Sequence, residues 1–187
     1  MSKLDKNMND LVEKFFFKEN KKMEERYREM QKLKKTKEAL AAASGIDDDL
    51  VLDKFIELDL RPETIASISM VPLIVIAWAD GNIDPKEKDA ILNVVGKFGW
   101  TPDSLNYDLL NQWLKNKPTA SLLTAWKHYV DALCHNMTNE ELAHFKKEMM
   151  AHVTMVAEAA GGFLGIGKIS AEERDMISQL ENTFCNK

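Results

Sequence analysis

One pattern of about sixteen residues occurs twice in this chain and constrains its fold more than any other feature. Ile76–Ile91 and Ala157–Ile177 each run from an apolar segment into Gly, then through Ile, a short polar residue and, three residues later, Glu, into another apolar segment. The second copy carries the additional residues GFLGIG in its turn. Repetition at this distance predicts a domain with two pseudo-symmetric halves, each a helix–turn–helix unit.

Helix capping explains the polar positions of this pattern. Asp84 and Ser170 stand where an N-cap side chain accepts a backbone N–H, and Glu87 and Glu173 follow three residues later. That spacing is typical of a capping box, in which the cap and the glutamate each satisfy the other residue's backbone N–H. Ile83 and Ile169 precede the caps, where each can act as a hydrophobic staple, and we expect both to be buried.

Start and stop signals elsewhere predict an all-α protein, since no segment shows sustained period-two alternation. Residues 3–43 lack Gly and Pro and predict one long helix that ends at Ser44-Gly45. We expect a helix to begin at Arg61-Pro62 and the apolar run Ile65–Ala79 to form a buried core helix. The predicted organisation is a long basic amphipathic helix, residues 1–45, followed by a bundle of about seven helices, residues 46–187.

The first copy of the pattern resembles the tellurite-resistance TerB-like domain family, through Ala79-Asp80-Gly81, Ile83 and Glu87. The second copy departs from that family because no Asp stands in the place of Asp80. The resemblance covers roughly residues 46–187. It implies a helical bundle of two related halves, a role in bacterial stress response or at the inner face of the membrane, and acidic residues that bind a divalent cation.

Two interpretations of the acidic turn therefore stay open. Asp80, Asp84 and Glu87 either cap a helix or hold a divalent cation, with calcium, magnesium and zinc undecided. The turn is not an EF-hand loop, because Ile76 and Trp78 stand where that loop needs oxygen ligands.

Charge and aromatic patterning predict a contact surface in the N-terminal segment. Residues 1–40 hold 12 Lys and Arg against 8 Asp and Glu, whereas the remainder holds 13 against 22. Phe15, Phe16 and Phe17 cover too wide an arc of a helix to be hidden in one narrow seam. We expect them to dock on the acidic domain, on a second copy or on a membrane surface. Between the glycines of the second turn, Phe163, Leu164 and Ile166 are further candidate partner-binding residues.

The remaining features favour an interaction module over an enzyme. Glu141, His144, Glu148 and His152 share one helical face, but no second Glu-x-x-His occurs, so a solvated face is the preferred interpretation over a di-iron site. The net charge of −5 disfavours nucleic-acid binding, and two distant cysteines favour a reducing, cytoplasmic location. The predicted function is a TerB-like interaction or scaffold module. The alternative is a peripheral membrane protein that binds through its Phe-rich N-terminal helix.

Overall fold

A computed structural model describes residues 25, 27–160 and 169–184, and these residues form helices and turns without a β-strand. Residues 27–44 are helical and are named α1. Seven further α-helices and one 3-10 helix follow within the described residues: α2 Asp49–Glu57, the 3-10 helix Ile65–Met70, α3 Val71–Ala77, α4 Pro85–Lys97, α5 Leu105–Lys115, α6 Ala120–Asn136, α7 Asn139–Ala159 and α8 Ala171–Glu181. The prediction of an all-α helical bundle is confirmed.

The chain divides into two compact units, Met1–Ala39 and Leu40–Lys187. In the first unit, the described residues 27–39 are helical and leave Tyr27, Met30 and Leu33 exposed. The second unit begins at Leu40, which is fully buried in its hydrophobic core. The last turn of α1 therefore belongs to the second unit.

Helix α3 lies at the centre of the second unit and packs against α4, α6, α7 and α8. Its seven residues are almost all buried, which explains why this stretch is apolar on every side. The aromatic rings of Trp126 and Phe184 meet edge to face with centroids 5.9 Å apart, and Phe145 contacts Phe184 at 5.8 Å. The end of the described chain is thereby held against α6 and α7.

The predicted core helix over Ile65–Ala79 is buried as expected, but its continuity is wrong. The segment is a 3-10 helix followed by α3, and the predicted start at Arg61-Pro62 is a turn rather than a helix. Pro72 explains the change, because it has no N–H to donate to the carbonyl four residues earlier. At the second position of α3 that missing donor costs nothing, so the α-helix begins at Val71.

The end of α1 follows its prediction. Gly45 has a φ of 71° and its N–H donates to the Ala41 carbonyl at 2.9 Å, as a left-handed C-terminal cap requires. The predicted extension of this helix back to residue 3 lies outside the described residues.

Candidate functional site

Both copies of the repeated turn carry the predicted capping box. The Glu87 carboxylate accepts the Asp84 N–H at 2.8 Å, and Asp84 Oδ1 accepts the Lys86 N–H at 2.8 Å. In the second copy, the Glu173 carboxylate accepts the Ser170 N–H at 2.6 Å, and Ser170 Oγ accepts the Glu173 N–H at 3.1 Å. The capping interpretation is confirmed at both sites, whereas the pseudo-two-fold repeat stays a prediction.

The preceding isoleucines are only half-buried. Ile83 and Ile169 pack against the core cluster without joining its fully buried members. The expectation that both isoleucines are buried is therefore wrong, because each one packs against the core but keeps part of its side chain accessible.

The two box glutamates meet in space. Glu87 is 4% exposed and Glu173 is 7% exposed, and their carboxyl groups lie within hydrogen-bonding reach of each other. Burial raises the pKa of the Glu87 carboxyl from 4.5 to about 7, while the Asp84 N–H opposes that rise. The charges of Glu173 and Asp80 add to it, as does the hydrogen bond with Glu173. The turns of α4 and α8 thus form one compact acidic contact.

Each of the three candidate cation ligands already accepts a hydrogen bond from a backbone N–H group near the turn. Asp80 is exposed, and its Oδ1 accepts the Asn82 N–H at 3.0 Å. Asp84 and Glu87 are occupied by the capping box. In the part of the chain that the structure describes, no group of three or more His, Cys, Asp or Glu side chains is arranged to hold a metal ion. The divalent-cation site stays a prediction.

A second feature is an apolar groove of about 610 Å³ beside α7, on the surface of the second unit. One wall is a face of α7, and the other lining residues come from the 3-10 helix, α3, the segment that follows α4 and the connection between α6 and α7. We call this the α7 groove, and its lining residues are Ala66, Ser69, Met70, Leu73, Phe98, Trp100, Met137, Glu141, His144, Phe145, Glu148, Met149 and His152. Its volume lies within the range that binding sites commonly have.

The α7 face that was predicted to be solvated borders the α7 groove, which the sequence did not predict. This face carries Glu141, His144, Glu148 and His152. His152 meets Phe98 edge to face with centroids 6.1 Å apart, and Phe98 is 56% exposed. Hydrogen bonds from the backbone and hydroxyl of Thr138 lower the pKa of Glu141, so this carboxylate is charged at neutral pH. The groove thus combines an apolar floor with acidic positions along α7.

The predicted partner-binding residues Phe15, Phe16, Phe17, Phe163, Leu164 and Ile166 lie outside the described residues. Among the helices that the structure describes, none has both the length and the apolar character needed to cross a membrane.

Comparison with protein-family models, with curated proteins and with solved structures finds no match to this chain.

Proposed function

We propose that this chain is a TerB-like helical interaction module that binds an amphipathic helix of a protein partner in the α7 groove. The observation that carries the proposal is the groove itself, where Phe98, Trp100 and Phe145 remain accessible among apolar neighbours. Contiguous accessible apolar surface is the usual mark of a contact site. The family resemblance adds the setting of a bacterial stress-response or membrane-associated system.

The dimensions of the groove suit a helix better than a flat protein surface. Its α7 wall runs from Glu141 to His152, eleven residues or about 16 Å at 1.5 Å per residue. That length accommodates about three turns of a guest helix, enough for anchors at i, i+3/i+4 and i+7. Met70, Met137 and Met149 supply flexible side chains that adapt to different apolar guests.

The charges beside the groove define the preferred guest. Glu141 and Glu148 lie on the α7 wall, and no Lys or Arg is among the lining residues that the structure describes. A guest helix with basic residues along one edge of its apolar face gains complementary contacts, whereas an acidic edge is repelled. The recognition is therefore of an amphipathic, basic-edged helix.

Labelled synthetic peptides test the proposal by fluorescence anisotropy with the full chain. One peptide carries an apolar face with a basic edge, one has the same composition in scrambled order, and one has an acidic edge. We expect only the first to bind, and Phe98→Ser to weaken it at least about tenfold, or about 1.4 kcal/mol.

Leu105→Ser is the matched control, because Leu105 is 57% exposed but lies outside the groove. Equal binding of the scrambled peptide, or equal affinity of the Phe98→Ser and Leu105→Ser variants, would contradict the proposed recognition.

The acidic contact between α4 and α8 supports a second candidate function, a weak divalent-cation site that includes Asp80 and at least one of Asp84 and Glu87. What supports it is the crowding of negative charge, since Asp80 and Glu173 both act on Glu87. A cation would relieve that repulsion, although it must compete with the backbone N–H groups that the carboxylates now accept.

For the location of the protein we propose the cytoplasm, with the N-terminal segment as the part that can meet an anionic membrane surface. Its basic balance and its three consecutive Phe support this alternative use of the segment. Flotation with lipid vesicles distinguishes it from protein binding.

A further inference from the structure

The chain itself contains a segment with the chemistry that the α7 groove selects. At 100° per residue, an arc of about 140° holds every apolar side chain between positions 4 and 16. These side chains are Leu4, Met8, Leu11, Val12, Phe15 and Phe16. Lys18, Lys14 and Lys3 follow one edge of that arc. The sequence pattern is thus an apolar face with a basic edge, and Asp5 is the one charged residue within the arc between positions 4 and 16.

We infer that residues 4–17 of a second copy of this chain occupy the α7 groove, an inference that rests on the proposed function. The apolar face provides the anchors, and the basic edge complements Glu141 and Glu148 on the groove wall. Fourteen residues span about 21 Å as a helix, which is long enough to cover the α7 wall of about 16 Å. Segment and groove agree in polarity and in charge, and the segment can cover the full wall.

A second copy is the occupant because two chains can exchange this segment reciprocally. Each copy then fills the groove of the other, and the assembly closes as a symmetric dimer without leaving an apolar face in water. Two such contacts bury surface on the order of the 1,200–2,000 Å² that specific interfaces need. The balance of +4 in residues 1–40 against −9 in the remainder favours association of the unlike parts.

The three Phe residues provide a control within the segment. Phe15 lies near the middle of the apolar arc, whereas Phe17 falls about 200° further round and outside it. Serine substitutions at these two positions remove the same chemical group from neighbouring places in the chain. Only the first is expected to remove an anchor.

Sedimentation of the full chain over a range of concentrations tests the inference. We expect a dimer for the unchanged protein and for Phe17→Ser and Leu105→Ser, but at least about tenfold weaker association for Phe15→Ser and Phe98→Ser. Circular dichroism confirms that each variant is folded. A labelled peptide of residues 1–24 is expected to bind the full chain and to be displaced by the unlabelled peptide.

The outcomes separate this inference from the proposed function. If a designed basic-edged peptide binds the groove but the peptide of residues 1–24 does not, the groove is a docking site and the self-association is overturned. If neither peptide binds, both ideas fail. The inference is overturned if the protein is a monomer at every concentration, or if Phe15→Ser and Phe17→Ser weaken association equally. It is also overturned if the peptide of residues 1–24 floats with anionic vesicles but does not bind the full chain.

Discussion

Glu87→Gln should stabilise this protein near neutral pH. The substitution removes a carboxylate that is 4% exposed and faces Glu173 and Asp80, but it retains an oxygen for the Asp84 N–H. The glutamine amide can also donate to the Glu173 carboxylate. The shape of the capping box is thus kept while the charge is lost.

The direction of this change in stability follows from the pKa of Glu87, which the fold raises from 4.5 to about 7. Between these two values the folded chain binds a proton that the unfolded chain has released, so stability falls as the pH rises through this window. The displacement corresponds to at most about 3 kcal/mol, at about 1.36 kcal/mol for each pH unit. Because solvent lies close to the turn, we expect about 1–2 kcal/mol, or roughly 3–6 °C in melting temperature.

Thermal and urea unfolding at pH 5 and pH 7.5, with a chelator present, measure this effect. The variant should match the unchanged protein at pH 5 and exceed its free energy of unfolding at pH 7.5. Glu141→Gln is the control, because that box glutamate is exposed and its pKa is lowered. Its charge stabilises the fold above its unfolded pKa, so neutralising it should not stabilise the protein at pH 7.5. A difference between Glu87→Gln and the unchanged protein that is independent of pH would refute the reasoning.

Three further predictions concern the turn and the core. Gly81→Ala should cost about 1–2 kcal/mol, because Gly81 has a φ of 97° and open space for the added methyl group, so the cost lies in the backbone. Gly96→Ala, in the last turn of α4 with equal space and without a positive φ, should instead stabilise the chain by up to about 0.5–1 kcal/mol, and chemical unfolding compares the two. Leu40→Ala should cost about 2–5 kcal/mol in the same assay, and a loss below about 0.5 kcal/mol would contradict its place in the core. Calorimetric titration with calcium, magnesium and zinc should give heat that Asp80→Ala abolishes, whereas absence of heat leaves the turn as a capping device.

The sequence predicted those helix boundaries that depend on hydrogen bonds between residues close together in the chain. The caps Asp84 and Ser170 were both predictable, because a capping side chain and its partner lie within three residues. Before α5, Thr101-Pro102 has the sequence of a helix start, but Ser104 is the cap and accepts the Tyr107 N–H at 3.3 Å. Two nearby residues can each cap a helix, and packing outside the turn selects between them.

The functional surfaces were much less predictable, because their parts come from distant places in the sequence. Met70 and Met149 line the same groove although 79 positions separate them. The pairing of Glu87 with Glu173 was visible as an alignment of two motifs, but not as a contact. The sequence signal for the groove was the mixture of Phe145 and Met149 with polar residues on α7, which widens the apolar face of this helix beyond what one core contact needs.

Helix α4 connects the acidic contact to the α7 groove. The capping box at its start therefore has a structural role that does not require a bound cation. It begins at the Asp84 capping box and ends just before Phe98, thirteen residues or about 20 Å later. Gly99, with a φ of 79°, then turns the chain so that Phe98 and Trp100 both reach the α7 groove. The register of α4 therefore fixes where these two side chains lie, and the capping box fixes that register at its first turn. Loss of the box would let the first turn of α4 fray and would disturb the groove from its far end, so a binding defect in an Asp84 variant cannot by itself identify a lost metal ligand.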